Sequence, residues 1–202
     1  MSRPIIAVTQ RVVVVPEYGE RRDALDQRWT SFLSDCGYLA MPVPNDPAIA
    51  AELVAGVNIS GLLLTGGNDL AAVGGDAPER DATERVLLTL ALERKLSVIG
   101  VCRGMQVIQS HFGVPLHRVS GHVTPDHAIA MAGARGHVNS YHGFAATTTA
   151  GPLDVWATAE DGVVEAVRHR TAPIVAVMWH PERYAEPRES DIALFRSSLP
   201  IR

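Results

Sequence analysis

Cysteine is scarce in this chain. The 202 residues hold two, Cys36 and Cys102, 66 positions apart, so a disulfide scaffold is not expected and a reducing, cytoplasmic setting is. Lysine is scarcer still, since Lys95 is the only one among 18 basic residues. Positive charge as a whole falls short: 18 Lys and Arg against 22 Asp and Glu give −4. That excludes a globally basic nucleic-acid binder while leaving room for a local phosphate pocket. No run of about 18 apolar residues is present, so no membrane span is expected. Nor is a secretory leader expected, because Val12–Val15 is too short an apolar core and lies against Arg11. Ser/Pro-rich linkers, internal repeats and low-complexity tracts are missing too. What remains is ordinary for a folded globule, 47% hydrophobic and 20% charged. A chain of this length buries roughly 70% of its unfolded surface and needs no staple. A single domain over residues 1–202 is the expectation.

Apolar runs alternate with amphipathic stretches, the pattern of an α/β fold with an open, mostly parallel sheet flanked by helices. Pro4–Val8 reads as a first strand. From Asp23 the period changes, and Leu25, Trp29, Phe32, Leu33 and Cys36 fall on one helical face, closed by Gly37. Leu39–Val43 reads as a strand, Pro47–Val57 as an Ala-rich helix, and Gly61–Thr65 as a buried strand entering the turn Gly66–Asp69. Asp81 and Glu84 have the spacing of a capping box opening a helix that runs to Lys95. Ser97–Val101 is the next strand and Arg103–Phe112 the next helix. Beyond Gly113 the texture becomes β-rich. Val163–Arg168 and Pro173–Trp179 form a hairpin there, and a helix over Ser190–Leu199 closes the chain.

Three local patterns carry chemistry. Cys102 lies between a buried strand and a helix, with Gly100 and Gly104 two residues to either side. Such an elbow is sharp and strained, and its neighbours must lack side chains for the chain to pass. The helix beginning after Cys102 offers free N–H groups and a positive dipole end, which favour the attacking thiolate. A buried structural cysteine is the plainer alternative. The second pattern is Met178-Trp179-His180-Pro181-Glu182. In an extended chain residues i and i+2 share a side, so Glu182 can orient His180 as a triad carboxylate does. Taken alone it is a surface histidine beside a solvated glutamate. The third is Thr65-Gly66-Gly67-Asn68-Asp69, at a strand's carboxyl end where open α/β sheets bind ligands. Paired glycines let backbone N–H groups approach an oxyanion, although in isolation a plain turn explains them.

In this order and spacing the three pieces resemble the class I glutamine amidotransferase-like superfamily, and more closely its γ-glutamyl hydrolase branch. The resemblance implies a flavodoxin-like sheet and a Cys102–His180–Glu182 triad. It also implies an oxyanion hole from the backbone N–H groups of Gly67 and Arg103. Gln106 and the segment Val138-Asn139-Ser140-Tyr141-His142, similar to the branch's V-N-S-x-H motif, would recognise the glutamyl group. The opening Ile6–Arg11, the run Glu20–Asp26 with Trp29, and Met178–Arg183 look like the subgroup acting on γ-glutamyl-CDP-amidate. Those enzymes serve the route to phosphoramidate-decorated surface polysaccharides. On that reading Arg11 and Arg22 are candidate partners for a diphosphate, since a guanidinium can bind two phosphate oxygens. Solvated loop charges are the alternative for both.

The eight histidines lack tight ligand spacing and cysteine partners, so no metal site is expected. Cys36 belongs to the apolar helix face. The expected chemistry is acyl transfer to water without a cofactor, on a small γ-glutamyl substrate, with no nucleic acid or membrane involved. Two rivals stand beside it. One is a γ-aminobutyrate-type γ-glutamyl hydrolase, or a glutaminase subunit feeding ammonia to a separate synthase; the other is a binding protein without catalysis.

Overall fold

The computed structural model describes residues 2–131 and 133–199. The first half supplies β1 (Ile5–Val8), a hairpin of β2 (Arg11–Val15) and β3 (Glu20–Ala24), α1 (Arg28–Asp35), β4 (Leu39–Pro42), α2 (Pro47–Gly56), β5 (Ile59–Leu64), α3 (Pro78–Arg94), β6 (Ser97–Val101) and α4 (Arg103–His111). The second half is strand-rich: β7 (His117–Arg118), β8 (Val123–Met131), β9 (Ala134–Tyr141), β10 (Phe144–Ala145), β11 (Leu153–Ala159), β12 (Val164–His169) and β13 (Ile174–Val177), closed by α5 (Glu189–Ser198).

Nine strands form one sheet in the order β4-β1-β5-β6-β13-β12-β11-β8-β9. Pairing is parallel from β4 through β13 and antiparallel from β13 to β9. The open parallel sheet with a β-rich second half is therefore present as expected. Alternation along the strands builds two cores, because successive side chains point to opposite faces. Ile6, Val8, Leu63, Ile99 and Val101 pack with Trp29, Phe32 and Phe195 of α1 and α5. Ala7, Leu62, Leu64 and Val98 pack with Leu87, Leu88, Met105 and Ile108 of α3 and α4.

Two local expectations are corrected. The helix expected from Asp23 starts at Arg28, because Glu20–Ala24 pairs with β2, from Val15↔Glu20 to Arg11↔Ala24. Leu25 still packs on the α1 cluster, but from the loop. Asp81 and Glu84 do not open α3, which begins at Pro78 with proline in its first turn. Both carboxylates belong to a buried ion network under the site.

Candidate active site

The parallel strands end at one edge, and β5, β6 and β13 deliver the candidate residues there. Cys102 caps α4 with φ 52° and ψ −106°, a conformation that costs a non-glycine residue on the order of 1–3 kcal/mol. The surroundings impose it. The Cys102 amide donates to Val177 O at 2.8 Å, and both flanking glycines are sterically required. A methyl at Gly100 would lie 2.7 Å from Ile108 Cδ1, and one at Gly104 would run into the Leu64 carbonyl. Arg103 is the first residue of α4, so its amide has no acceptor within the helix.

His180 follows β13 in extended conformation, but Pro181–Arg183 forms a single 3-10 turn rather than continued strand. The turn still brings Glu182 Oε1 within 2.7 Å of His180 Nδ1, and both residues are buried. Burial opposes the imidazolium, yet the Cys102 sulfur and the Glu182 carboxylate outweigh it and raise His180 to about 9. His180 Nε2 has no hydrogen-bond partner among the described residues. Its ring lies against Gly66, where an added methyl would stand 2.6 Å from Cε1 and 3.5 Å from Cys102 Cβ. Cys102, His180 and Gly66 therefore share one small volume. The arrangement suits a thiolate–imidazolium pair with a carboxylate behind it.

The glycine loop is held from below. Arg80, fully buried, donates from Nη1 to Gly67 O and from Nη2 to Thr65 O at 2.7 Å and Gly66 O at 3.1 Å. Its Nε reaches Glu84 Oε1 at 3.0 Å, and Arg103 pairs with Glu84 and Asp81. Burial brings Arg80 down to about 10 despite Glu84. Burial also opposes charge on Glu84, but Arg103 and Arg80 together hold its carboxyl below the usual range. The sequence showed these carboxylates only as a helix start. Their i, i+3 spacing fits both roles, and Arg80, four residues before Glu84 at ion-pair spacing, was the missed signal.

The remaining candidates divide. Arg11 lies over Gly67 (φ 88°), where an added methyl would meet its Nε at 2.9 Å, and it lines a cleft with Trp29, Thr65, Gly66, His180 and Arg183. Arg22 is turned away, paired with Glu20 at 2.7 Å on the exposed hairpin. Gln106 donates to Phe144 O at 2.8 Å. Along β9 alternate residues face opposite ways. Tyr141 stacks edge-on to His180 at 5.9 Å, with the Arg183 guanidinium 4.8 Å over its ring. Asn139 clamps the His180 main chain, accepting from its N at 2.7 Å and donating to its O at 2.8 Å. Ser140 donates to His122 O and is fully buried, and His142 Nε2 lies 3.3 Å from Glu165. Of that motif it is Tyr141 whose ring stands beside the His180 imidazole. Asn139 is committed to the base's backbone, while Ser140 and His142 look into another cluster.

A family model for the class I glutamine amidotransferases matches residues 27–197. The chain belongs to that family. Among curated relatives of this amidotransferase-family chain is the γ-glutamyl-CDP-amidate hydrolase of Campylobacter jejuni, 29% identical over 88% of this chain and 90% of its own length. Another is the γ-glutamyl-γ-aminobutyrate hydrolase of Escherichia coli O157:H7, 26% identical over 81% and 80%. The carbamoyl phosphate synthase small chain of Symbiobacterium thermophilum is 32% identical over 71% of this chain and 40% of its own. A solved chain from Thermoplasma acidophilum, provisionally assigned to GMP synthase, superposes with a TM-score of 0.74 at 19% identity, covering 98% of this chain and 94% of that one. No helix among the described residues is long and apolar enough to cross a membrane.

Proposed function

We propose that this protein is a cysteine-dependent hydrolase that cleaves a γ-glutamyl amide bond. The observation that carries the reading is the Glu182-oriented His180 packed beside the strained Cys102 elbow. Cys102 thiolate attacks the γ-carbonyl carbon, and the carbonyl electrons move onto oxygen, facing the N–H groups of Gly67 and Arg103. Collapse breaks the C–N bond as His180 gives its proton to the leaving nitrogen. His180 then takes a proton from water, which opens the thioester and releases glutamate. No step needs a cofactor.

For the leaving group we propose a nucleotide phosphoramidate, with CDP-amidate first. Arg11 beside Gly67 and His180 supports this, since a diphosphate leaving the glutamyl pocket needs a fixed cation there. The similarity to the Campylobacter hydrolase agrees in kind. The test compares kcat/KM for γ-glutamyl-CDP-amidate, γ-glutamyl-γ-aminobutyrate and glutamine, in wild type and Arg11→Ala. The nucleotide should be preferred, and Arg11→Ala should raise its KM far more than that of γ-glutamyl-p-nitroanilide. A preference for γ-glutamyl-γ-aminobutyrate would leave the hydrolase without the nucleotide. Glutamine turnover that rises many-fold on adding a synthase would instead favour an ammonia-delivering role, which is consistent with the likeness to the synthase small chain.

A further inference from the structure

Away from the cysteine, the antiparallel half of the sheet brings together residues that are far apart in sequence. His122, His127, His142 and Glu165 meet around one carboxylate oxygen. Glu165 Oε1 lies 3.1 Å from His122 Nδ1, 3.3 Å from His127 Nε2 and 3.3 Å from His142 Nε2. The donor atoms of His122, His127 and Glu165 all lie within 4.8 Å of one another. His122 is 2% exposed, His142 4% and Glu165 0%. Hydrogen bonding accounts for one of these contacts, between His122 Nδ1 and Glu165 Oε1. Among the described residues His127 Nε2, both nitrogens of His142 and Glu165 Oε2 are buried without a hydrogen-bond partner, which is unfavourable for polar atoms shut off from water.

We propose that this cluster is a binding site for a divalent transition metal of the zinc class, held by His122, His127 and Glu165 with a water in the fourth position and His142 lying against the same carboxylate. Ligands about 2.0–2.1 Å from a tetrahedral zinc stand roughly 3.3 Å apart, and the His122 and His127 nitrogens, 3.1 and 3.3 Å from Glu165 Oε1, match that spacing. Imidazole with carboxylate is a donor set that suits such ions. His122 Nε2, its outer nitrogen, meets Asp161 Oδ2 at 2.9 Å, the outer-carboxylate arrangement that orients a metal-bound histidine. Charge argues the same way. Among the described residues Glu165 has no Arg or Lys partner, only histidines. Glu165, wholly buried, supplies a negative charge that a bound dication would balance. The bound ion would tie β8 to β12, strands that β11 separates in the sheet order. It is separate from the acyl-transfer chemistry, which needs no metal.

The test uses the full chain stripped with a chelator and titrated with Co²⁺ and Zn²⁺. One equivalent of Co²⁺ per chain should give the intense visible bands of a four-coordinate nitrogen–oxygen site, with no thiolate charge-transfer band in the near ultraviolet. Zn²⁺ should displace it and raise the melting temperature. Cys102→Ser should keep the site, whereas His127→Asn and Glu165→Gln should lose it. Asp161→Asn should weaken affinity about 10–100-fold. If either ligand variant fails to fold by circular dichroism, the wild-type stoichiometry and spectrum decide. No stoichiometric Co²⁺ uptake, a thiolate band, or binding that survives in folded His127→Asn would overturn the proposal.

Discussion

Cys36 sits at the end of α1 among Trp29, Phe32 and Tyr38, where burial pushes its thiol up to about 12. Cys102 is also buried but faces an imidazole whose cationic form its own sulfur and the Glu182 carboxylate favour. The two thiols should therefore separate cleanly. Cys102→Ala should abolish turnover with the fold intact. Cys36→Ser should keep near-normal kcat and lose about 1–3 kcal/mol, the cost of burying a hydroxyl without a partner. Denaturant melts beside progress curves check this, and a folded Cys36→Ser protein as inactive as Cys102→Ala contradicts it. The histidine gives a pH signature. Its folded value of about 9 lies above the ordinary 6.5. The stability it contributes is thus complete below about pH 6.5 and lost as pH rises through about 9. Because the imidazolium is the acid for the leaving nitrogen, kcat/KM should fall along the same alkaline limb. Glu182→Gln removes one cause of the rise, so the limb should move to lower pH. Turnover should also drop on the order of 10²–10⁴-fold. An unmoved limb in the pH–rate profile would assign the orienting role to another group.

At the scale of elements, α3 serves the site from beneath, through Arg80 on the glycine loop. Arg80 is the only described side chain that donates to the carbonyls of Thr65, Gly66 and Gly67. Arg80→Met leaves wholly buried Glu84 with Arg103 as its remaining cation and takes the side-chain donor from three loop carbonyls. A loss of about 3–5 kcal/mol is expected, as for several buried polar groups left without partners. Urea melts measure it, and a loss below about 1 kcal/mol would mean the network relaxes. Sequence pattern reached these elements unevenly. β1, β5, β6 and α4 were legible because apolar runs and helical periods belong to buried faces. The strand Glu20–Ala24 was not, because it is exposed and polar and pairs only with its hairpin neighbour. β7 and β10 are two residues each, too short to show a period. The elbow and the His-Pro-Glu turn were visible since each is local. The histidine cluster was invisible because its members, spread from His122 to Glu165, are joined by strand register rather than by spacing.

For the molecule as a whole, the decisive seam is the β6–β13 pair. It joins the parallel half to the antiparallel half and runs in fixed register, with Gly100 beside Ala176 and Val101 beside Val177. That seam acts as a ruler between two segments encoded more than seventy positions apart. A slip of one residue along a strand moves a side chain about 3.3 Å and turns it to the opposite face. Adding or deleting a single residue within 97–102 or 174–180 would carry Cys102 or His180 out of the shared volume beside Gly66. The loop at 148–151 lies outside that ruler, between β10 and β11. Length can change there without disturbing the distance between nucleophile and base, so the chain's capacity to grow or shrink is set by where its ladder is counted and where it is not.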